Sequence, residues 1–506
     1  MDGSRQVVKF GGTSVGSGEG IGRVASIIRH HVRDSEGMFP VVVVSAMSGV
    51  TDQLLRIARF TCTGDHESWQ QELEALKRKH VEAADKAVHR SEVRRALQHD
   101  LQVAFGMLEQ DISAIRASPS GPTEEQAGDS HASALALYAA SIISAWGERF
   151  SALLVAAAAR DLGVQTVPVR EEVLVTTDLQ AEMLPAFGAV VGAEPLPQET
   201  RVNAERLIHP LIERGIVPVV PGFIGRTTGG RVTTLGRNGS DYSATLLGAA
   251  LDCAEVTIYT DVDGVLSADP RIVANTRLVP RLTYAEAAQL SWFGAKVLHP
   301  RTLIPAAHRN IPVRVRNTLR PHMRGTVVGP ALTTRSAAAA ITVRRQLALI
   351  TLEKSDLFGA PENACQVFEL VARAGAALVA ICSSSGHHLT FVVEEQAADS
   401  VAALLQHDMG SWRVSYRRGL AACACIGSGF TADPMSPAHA ITALARERIP
   451  VITQGASEAG IILVVEESES ERALRCLHRD LIAPVIPLMR HEVHEKGHEA
   501  SQRAAL

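Results

Sequence analysis

The sequence predicts an α/β chain in two parts: a mainly parallel sheet sandwiched by helices, then two ferredoxin-like β-α-β-β-α-β modules. Three observations carry this reading. Short apolar strands alternate with helical stretches over roughly residues 1–300, the pattern of a parallel sheet covered by helices. Residues 41–44 are four consecutive valines, as expected of a strand buried on both faces. Beyond residue 340 the order becomes strand, helix, strand, strand, helix, and it occurs twice.

Taken along the chain, residues 7–10 read as a strand and 21–32 as a helix. Residues 68–116 are helical and charged, with Leu73, Leu76, Leu97, Leu101 and Leu108 set among Lys, Arg, Glu and Gln. They read as a helical excursion off the sheet. Residues 119–130 are polar, with Gly and Pro, and read as a loop. The most apolar stretch is 132–159, with Glu148 and Arg149 near its middle. A membrane span bears such charges only at high cost, so a buried core helix carrying a functional carboxylate is expected. Residues 319–340 shift to Pro, Gly and a Ser-Ala run, a linker signature. The first module then has strands near 347–352, 377–382 and 389–393 and helices near 364–374 and 397–407. The second has strands near 421–426, 451–454 and 461–465 and helices near 437–446 and 469–479. The expected division is 1–320, a linker over 321–340, modules at 341–415 and 416–486, and a polar, disordered tail from 487.

A chain of 506 residues needs more than one core. With 46% hydrophobic and 21% charged residues it reads as globular. A net charge of −4 without a long basic run points away from nucleic acid and anionic membranes. The seven cysteines are scattered, odd in number and without metal-ligand spacing, which favours reduced thiols. Cys423 and Cys425 would share one face of a strand, in the core. The N-terminus runs straight into a strand with no leader visible, so a cytoplasmic location is expected.

The chemistry begins at residues 7–15, where an apolar strand runs into Lys9, Gly11, Gly12, Thr13 and Ser14. Two glycines let backbone N–H groups approach an anion, and a following helix start points more N–H groups the same way. Lys9 at the strand end can neutralise charge on a phosphoryl group. Neither P-loop nor dinucleotide-fingerprint spacing is present, and a Gly-Gly pair alone after a strand is more often just a turn. It has company, however. Residues 233–243 form a second glycine-rich polar loop, 260–265 with Asp269-Pro270-Arg271 a third, and 293–300 a fourth. Ser45-Ala46-Met47-Ser48-Gly49-Val50-Thr51 and Trp146-Gly147-Glu148-Arg149 add two further segments.

In the order and spacing of these segments the chain resembles the aspartate kinases of the amino-acid kinase family, strongly over residues 5–330 and more loosely over 340–480. The resemblance implies the amino-acid kinase fold followed by paired ACT modules, small domains that bind amino acids. It implies transfer of the ATP γ-phosphoryl group, with Mg²⁺, to the side-chain carboxylate of L-aspartate, giving 4-phospho-L-aspartate and ADP. It also implies a homodimer or larger assembly and an amino-acid effector. An aspartate side chain is already ionised at neutral pH and needs no general base. What it needs is relief from charge repulsion, which lysine, loop N–H groups and Mg²⁺ supply.

By resemblance Lys9 meets the transferring phosphoryl group, and Gly11, Gly12, Thr13 and Ser14 line the phosphates. Asp241 orients Lys9 and the metal-bound phosphates. In a Ser-Asp pair ahead of a helix, Ser240 or Asp241 can also be the N-cap. Arg237 grips a carboxylate with its planar fork, and Glu148 pairs with the substrate ammonium. Ser45, Thr51, Phe223 and Ser240 complete that pocket. Thr260, Asp261, Leu266, Arg271, Lys296 and Val297 fall at the nucleotide. Leu266 departs from the family's usual tyrosine, so an aromatic contact there is lost or replaced. No dedicated metal-ligand set is expected. In lysine-inhibited members the first module carries a glycine-then-aromatic pair at the start of its helix, where Glu362-Asn363 stand here, and two acidic residues that receive lysine, where Ala380 and Gly386 (after Ser383-Ser384-Ser385) stand, so lysine inhibition should be weak or absent. Two alternatives stay open: an amino-acid kinase acting on glutamate or N-acetylglutamate, and a non-catalytic amino-acid sensor.

Overall fold

The computed structural model describes residues 5–34, 39–117, 129–170, 173–178, 192–236, 238–295, 298–330, 338–353, 361–384, 388–410, 412–430, 433 and 435–482. The expected tail, most of the 119–130 loop, and the 331–337 part of the linker lie outside the described residues. The chain opens with β1 (Arg5–Phe10), α1 (Gly18–Asp34), β2 (Phe39–Val44), α2 (Val50–Thr63), α3 (His66–Ala87), α4 (Ser91–Ala117), α5 (Asp129–Ser144) and α6 (Trp146–Asp161). It continues with β3 (Thr166–Pro168), β4 (Val175–Thr176), α7 (Pro197–Leu207), α8 (His209–Glu213), β5 (Val217–Pro221), β6 (Ile224–Thr227), β7 (Val232–Thr234), α9 (Gly239–Ala250) and β8 (Glu255–Thr260). Then come β9 (Arg281–Thr283), α10 (Tyr284–Trp292), α11 (Pro300–His308), β10 (Val313–Asn317) and β11 (Thr326–Gly329).

Eight of these strands form one sheet in the order β3-β5-β2-β1-β8-β10-β11-β9. Every pairing is parallel except β10 with β11. Alternate side chains enter opposite layers, as the two-residue period of a strand requires. Val8, Phe10, Val42 and Val44 pack against α1, α2 and α6. Val7, Val41, Val43, Val256 and Ile258 pack against α9 and α11. The four valines are therefore buried from both sides, and the sandwich of sheet and helices is as the sequence predicts. Because β1, β2, β5 and β8 run parallel, the loops at their carboxyl ends share one edge, where open α/β sheets bind ligands.

The helical excursion is a pair, α3 and α4, separated at 88–90. Asp161 at the end of α6 accepts the N–H groups of His89 and Arg90, closing that break. The apolar stretch forms α5 and α6, and Tyr138–Asp161 within it is long and apolar enough to cross a membrane. Here α6 is instead buried in the core, in contact with α1 and α4.

The C-terminal part has β12 (Ala340–Glu353), α12 (Pro361–Arg373), β13 (Leu378–Ser384), β14 (His388–Glu394), α13 (Ala398–Asp408), β15 (Arg413–Ile426), α14 (Met435–Arg446), β16 (Thr453–Ser457), β17 (Gly460–Glu466) and α15 (Ser470–Leu481). These strands make one antiparallel sheet, β13-β14-β12-β15-β17-β16. The pairing interleaves the two units rather than setting them end to end. Within β12, β14 pairs with residues 347–353, and within β15, β17 pairs with residues 420–426. Ile341 joins the core of Cys423, Cys425, Leu463 and Leu474, whereas Ile350 joins that of Val367, Phe391 and Val401. Each unit thus takes its fourth strand from a half of β12 or β15, and register shifts at 344–349 mark the crossing. The β13 and β16 edges also meet, with Cys382 hydrogen-bonded to Thr453.

Two buried histidines link this fold to pH. His80 Nδ1 donates to Leu76 O at 2.8 Å, and its ring packs against Phe105 and Phe150. His31 Nε2 lies 2.9 Å from the Tyr259 hydroxyl. Burial lowers each from 6.5 to about 4. The unfolded chain protonates these groups near pH 6.5, so the penalty is absent above that value, grows as pH falls and is complete below about pH 4. At about pH 5 it amounts to about 2 kcal/mol per histidine. His80→Met should therefore show a smaller loss of Tm between about pH 7.5 and about pH 5 than the parent. Equal losses in both proteins would show that His80 is not a source of the acid sensitivity.

Candidate functional site

Lys9 is the fifth residue of β1, and its Nζ lies 2.5 Å from Asp241 Oδ1, with both side chains largely buried. Asp241 stands in the first turn of α9, where a carboxylate also meets the positive end of the helix dipole. The N-cap is Asn238, in the left-handed region at φ 58°, without a side-chain cap bond. Neither Ser240 nor Asp241 caps the helix, because α9 begins at Gly239 and places both inside it. The turn after β1 is tied on both sides. Gly11 N–H donates to Tyr259 O at 3.2 Å, and Ser48 N–H donates to Gly12 O at 3.2 Å. A Cβ on Gly12 would stand 2.9 Å from Ala46 O, so the position requires glycine.

Glu148 owes its position to another close approach. A Cβ on Gly147 would come within 2.7 Å of Ala46 Cβ, which shows how closely α6 meets the loop after β2. Glu148 Oε1 accepts the Ala46 N–H at 3.1 Å, while Oε2 is buried without a partner. Burial pushes the Glu148 carboxyl up to about 8, against the smaller downward pull of backbone N–H groups and Lys9. A carboxyl at about 8 is mostly protonated at neutral pH when no cation stands beside it. A buried oxygen left unsatisfied in a cavity calls for a donor, and a cationic donor would also draw the carboxyl into its charged form.

One cavity of about 630 Å³ brings together Lys9, Gly12, Ser45, Thr51, Glu148, Phe223, Ser240 and Asp241. Phe223 holds φ 66° there, fixed by its N–H bond to Ser243 Oγ at 2.8 Å. A Cβ on Gly239 would strike the Phe223 ring at 2.7 Å. Gly11, Thr13 and Ser14 lie on the adjoining turn rather than in the cavity wall. The Ser14 hydroxyl lies 2.6 Å from that of Thr318. Thr260, Asp261, Leu266 and Arg271 occupy β8 and the loop beyond it, also outside this cavity. Leu266 forms a β-bridge with Leu278, and the exposed Arg271 guanidinium is paired with Asp269 at 2.7 Å. Arg237, Lys296 and Val297 lie outside the described residues.

Several wall residues carry no motif. Ser141 and Ser144 line the cavity from α5; serines within an apolar helix were the available signal. Lys79 comes from α3, and its Nζ donates to Ser48 O at 2.6 Å, holding the 45–51 loop from outside. Nothing local to residue 79 announces this contact. The arrangement can receive an anion beside Lys9 and a cation beside Glu148. Among the described residues no cluster of three or more His, Cys, Asp or Glu is placed to hold a metal ion. Mg²⁺ commonly binds through one or two carboxylates together with substrate phosphates, and Asp241 beside Lys9 fits that mode.

Comparison with known proteins bears on this geometry. The amino acid kinase family model matches residues 4–317, and an ACT domain model matches 424–481. The chain is 31% identical over 495 residues to bifunctional aspartokinase/homoserine dehydrogenase 2 of Arabidopsis thaliana, with 93% of this chain covered. It spans about half the length of this and the other bifunctional plant relatives it matches, 50% in each case. It is 29% identical to lysine-sensitive aspartokinase 3 of Escherichia coli, covering 94% of this chain and 98% of that protein. The crystal structure of E. coli aspartokinase III in complex with aspartate and ADP superposes with a TM-score of 0.70 at 27% identity, covering 94% of this chain and 99% of that one.

The Lys79 contact has a direct test. Hydrogen bonds to charged groups stabilise by about 1.5–3 kcal/mol, so Lys79→Met should speed amide exchange in residues 48–51 by about tenfold or more. Exchange in the β1 and β2 strands should stay unchanged. Unaltered exchange in the loop would mean that Lys79 does not hold it.

Proposed function

The chain belongs to the amino acid kinase family, and on that premise we propose that it is an ATP-dependent aspartate kinase. It transfers the γ-phosphoryl group to the side-chain carboxylate of L-aspartate, giving 4-phospho-L-aspartate and ADP, the entry step of aspartate-derived amino-acid biosynthesis. The observation that carries this reading is the buried Glu148 carboxyl with one unpartnered oxygen, in the same cavity as Lys9 and Asp241. A free α-amino acid brings the ammonium that Glu148 lacks. An acceptor carboxylate and a phosphate chain bring the negative charge that Lys9 can stabilise. The relatives support the substrate pair, since the E. coli structure was determined with aspartate and ADP.

The aspartate ammonium pairs with Glu148, whose proton leaves as the pair forms. Ser45 in the loop after β2 and Thr51 in the first turn of α2, with Phe223 and Ser240, enclose the rest of the amino acid. The acceptor carboxylate thereby faces Lys9. Lys9 stabilises charge on the transferring group, and Asp241 holds its ammonium in place. The Gly12 and Thr13 N–H groups of the glycine turn after β1 are the ones placed to receive phosphate oxygens, since those of Gly11 and Ser14 donate to Tyr259 O and Gly11 O. Mg²⁺, when bound with ATP, neutralises phosphate charge, and Asp241 is the carboxylate suited to hold it. No residue is needed as general base, because the attacking carboxylate is already ionised.

The test is phosphoryl transfer from ATP to a panel of acceptors: aspartate, glutamate and their N-acetyl forms. Aspartate should be used and the N-acetyl compounds should not. Glu148→Gln should raise the aspartate KM by about tenfold or more and leave the ATP KM within about twofold. Lys9→Ala should lose about a hundredfold or more in kcat, in line with removal of about 3 kcal/mol of electrostatic stabilisation. Millimolar lysine should leave the rate nearly unchanged. Equal use of N-acetylated acceptors, or a Lys9→Ala variant with near-parental kcat, would contradict the reading.

A further inference from the structure

The loop that follows β8 is built onto the C-terminal sheet. Ser267 lies between Leu266 and the Asp269-Pro270-Arg271 turn, and it is buried at 1% exposure. Its backbone N–H donates to Arg277 O at 2.8 Å, and its carbonyl accepts the Ile341 N–H of β12 at 2.8 Å. Its hydroxyl accepts the Arg277 N–H at 2.9 Å and lies 2.9 Å from His478 Nε2. His478 is itself buried, on α15. Two more contacts join α15 to this loop. Arg475 Nε donates to Ile272 O at 3.2 Å, and Ala268 and Val273 share a core with Leu474 and Leu477.

This places one side chain of the C-terminal unit directly behind the segment assigned to the nucleotide. We propose that His478 is a positioning residue for nucleotide binding: through Ser267 it fixes the 266–271 loop, so the C-terminal unit sets affinity for the nucleotide and not for the amino acid. The proposal rests on the kinase reading only for the assignment of that loop to the nucleotide.

The asymmetry follows from where each half of the site is anchored. The walls of the amino-acid cavity come from the end of β1, α2, α5, α6, β7, α9 and the loops after β1, β2, β5 and β7. None of these supplies the hydroxyl that meets His478. The 266–271 loop, in contrast, has Ser267 as its hub. Loss of the His478 partner leaves a buried hydroxyl with one fewer bond and frees the loop to shift relative to β8. Burial, and then the charge of Arg277, lower the proton affinity of His478.

The experiment is equilibrium binding of ADP with Mg²⁺, and separately of aspartate, to the full chain and to His478→Leu, Ser267→Ala, the double variant and His478→Gln. His478→Leu and Ser267→Ala should each weaken ADP binding by about tenfold, a factor worth 1.4 kcal/mol at room temperature. Aspartate binding should stay within about twofold. The double variant should be no weaker than the weaker single one, since both remove the same link. His478→Gln, which keeps a hydrogen-bonding group, should recover most of the loss. Should His478→Leu fail to fold, Ser267→Ala and His478→Gln carry the comparison. Unchanged ADP affinity in the variants, additive losses, or equal losses for ADP and aspartate would overturn the proposal. A parent chain that binds no ADP at all would instead overturn the kinase reading on which the loop assignment stands.

Discussion

The site depends on one close approach: the start of α6 against the loop after β2. Without a side chain at Gly147, that contact seals Glu148 away from water and gives its Oε1 the Ala46 N–H as donor. A carboxyl so placed is costly to ionise. The second oxygen is buried without a partner, on a residue that lines the cavity. On the proposed reading an ammonium gains more there than at a hydrated carboxylate, which would select for an amino acid with a free amino group. The same approach holds Ala46 over Gly12, so the Glu148 pocket and the Lys9 turn are set by one contact between two strand-end loops.

The rest of the molecule keeps these two loops in register. β1 and β2 are neighbours near the middle of a sheet whose faces are both covered, so neither strand end can drift without disturbing two apolar layers. The excursion helices add a support from outside the sheet through Lys79. The far side of the site is anchored differently. Glu286 of α10 accepts the Thr283 N–H at 2.7 Å and also the Ser428 N–H at 2.7 Å. Trp292 Nε1 donates to Val379 O at 3.1 Å, and Gln289 donates to Ser457 at 2.6 Å. Helix α10, which leads into the 293–300 segment, is thus fastened to the C-terminal sheet, as is the loop at Ser267. Two bodies therefore meet here, one holding the cavity of Lys9 and Glu148 and the other backing the 266–271 loop and α10.

Much of this was legible in the sequence because the signals are local. The valine run at 41–44 and the strand ending in Lys9 announce a doubly covered parallel sheet through residue type alone. Glu148 stood out because a carboxylate in an apolar helix needs a reason. The repeated strand–helix order after 340 was equally local. What escaped depends on contacts distant in sequence. The interleaving of the two units requires residues 340–344 to pair with 422–426, and an Ala-rich start hides the strand pattern there. Lys79 reaches Ser48 across 31 residues, and Ser267 reaches His478 across 211. The cap at Asn238 was missed for a different reason: a left-handed N-cap without a side-chain bond leaves no residue-type signature, and the Ser-Asp pair after it resembles one.

The central claim is that Glu148 is protonated in the empty site and ionises on pairing with the substrate ammonium. Calorimetric titration of aspartate at about pH 7, repeated in buffers of different ionisation enthalpy, counts the protons exchanged on binding. A carboxyl held at about 8 is about nine-tenths protonated at that pH. The account therefore expects close to one proton released per aspartate bound, and none from Glu148→Gln. Binding without proton release by the parent chain would show that Glu148 is already ionised in the empty site, and would contradict the account.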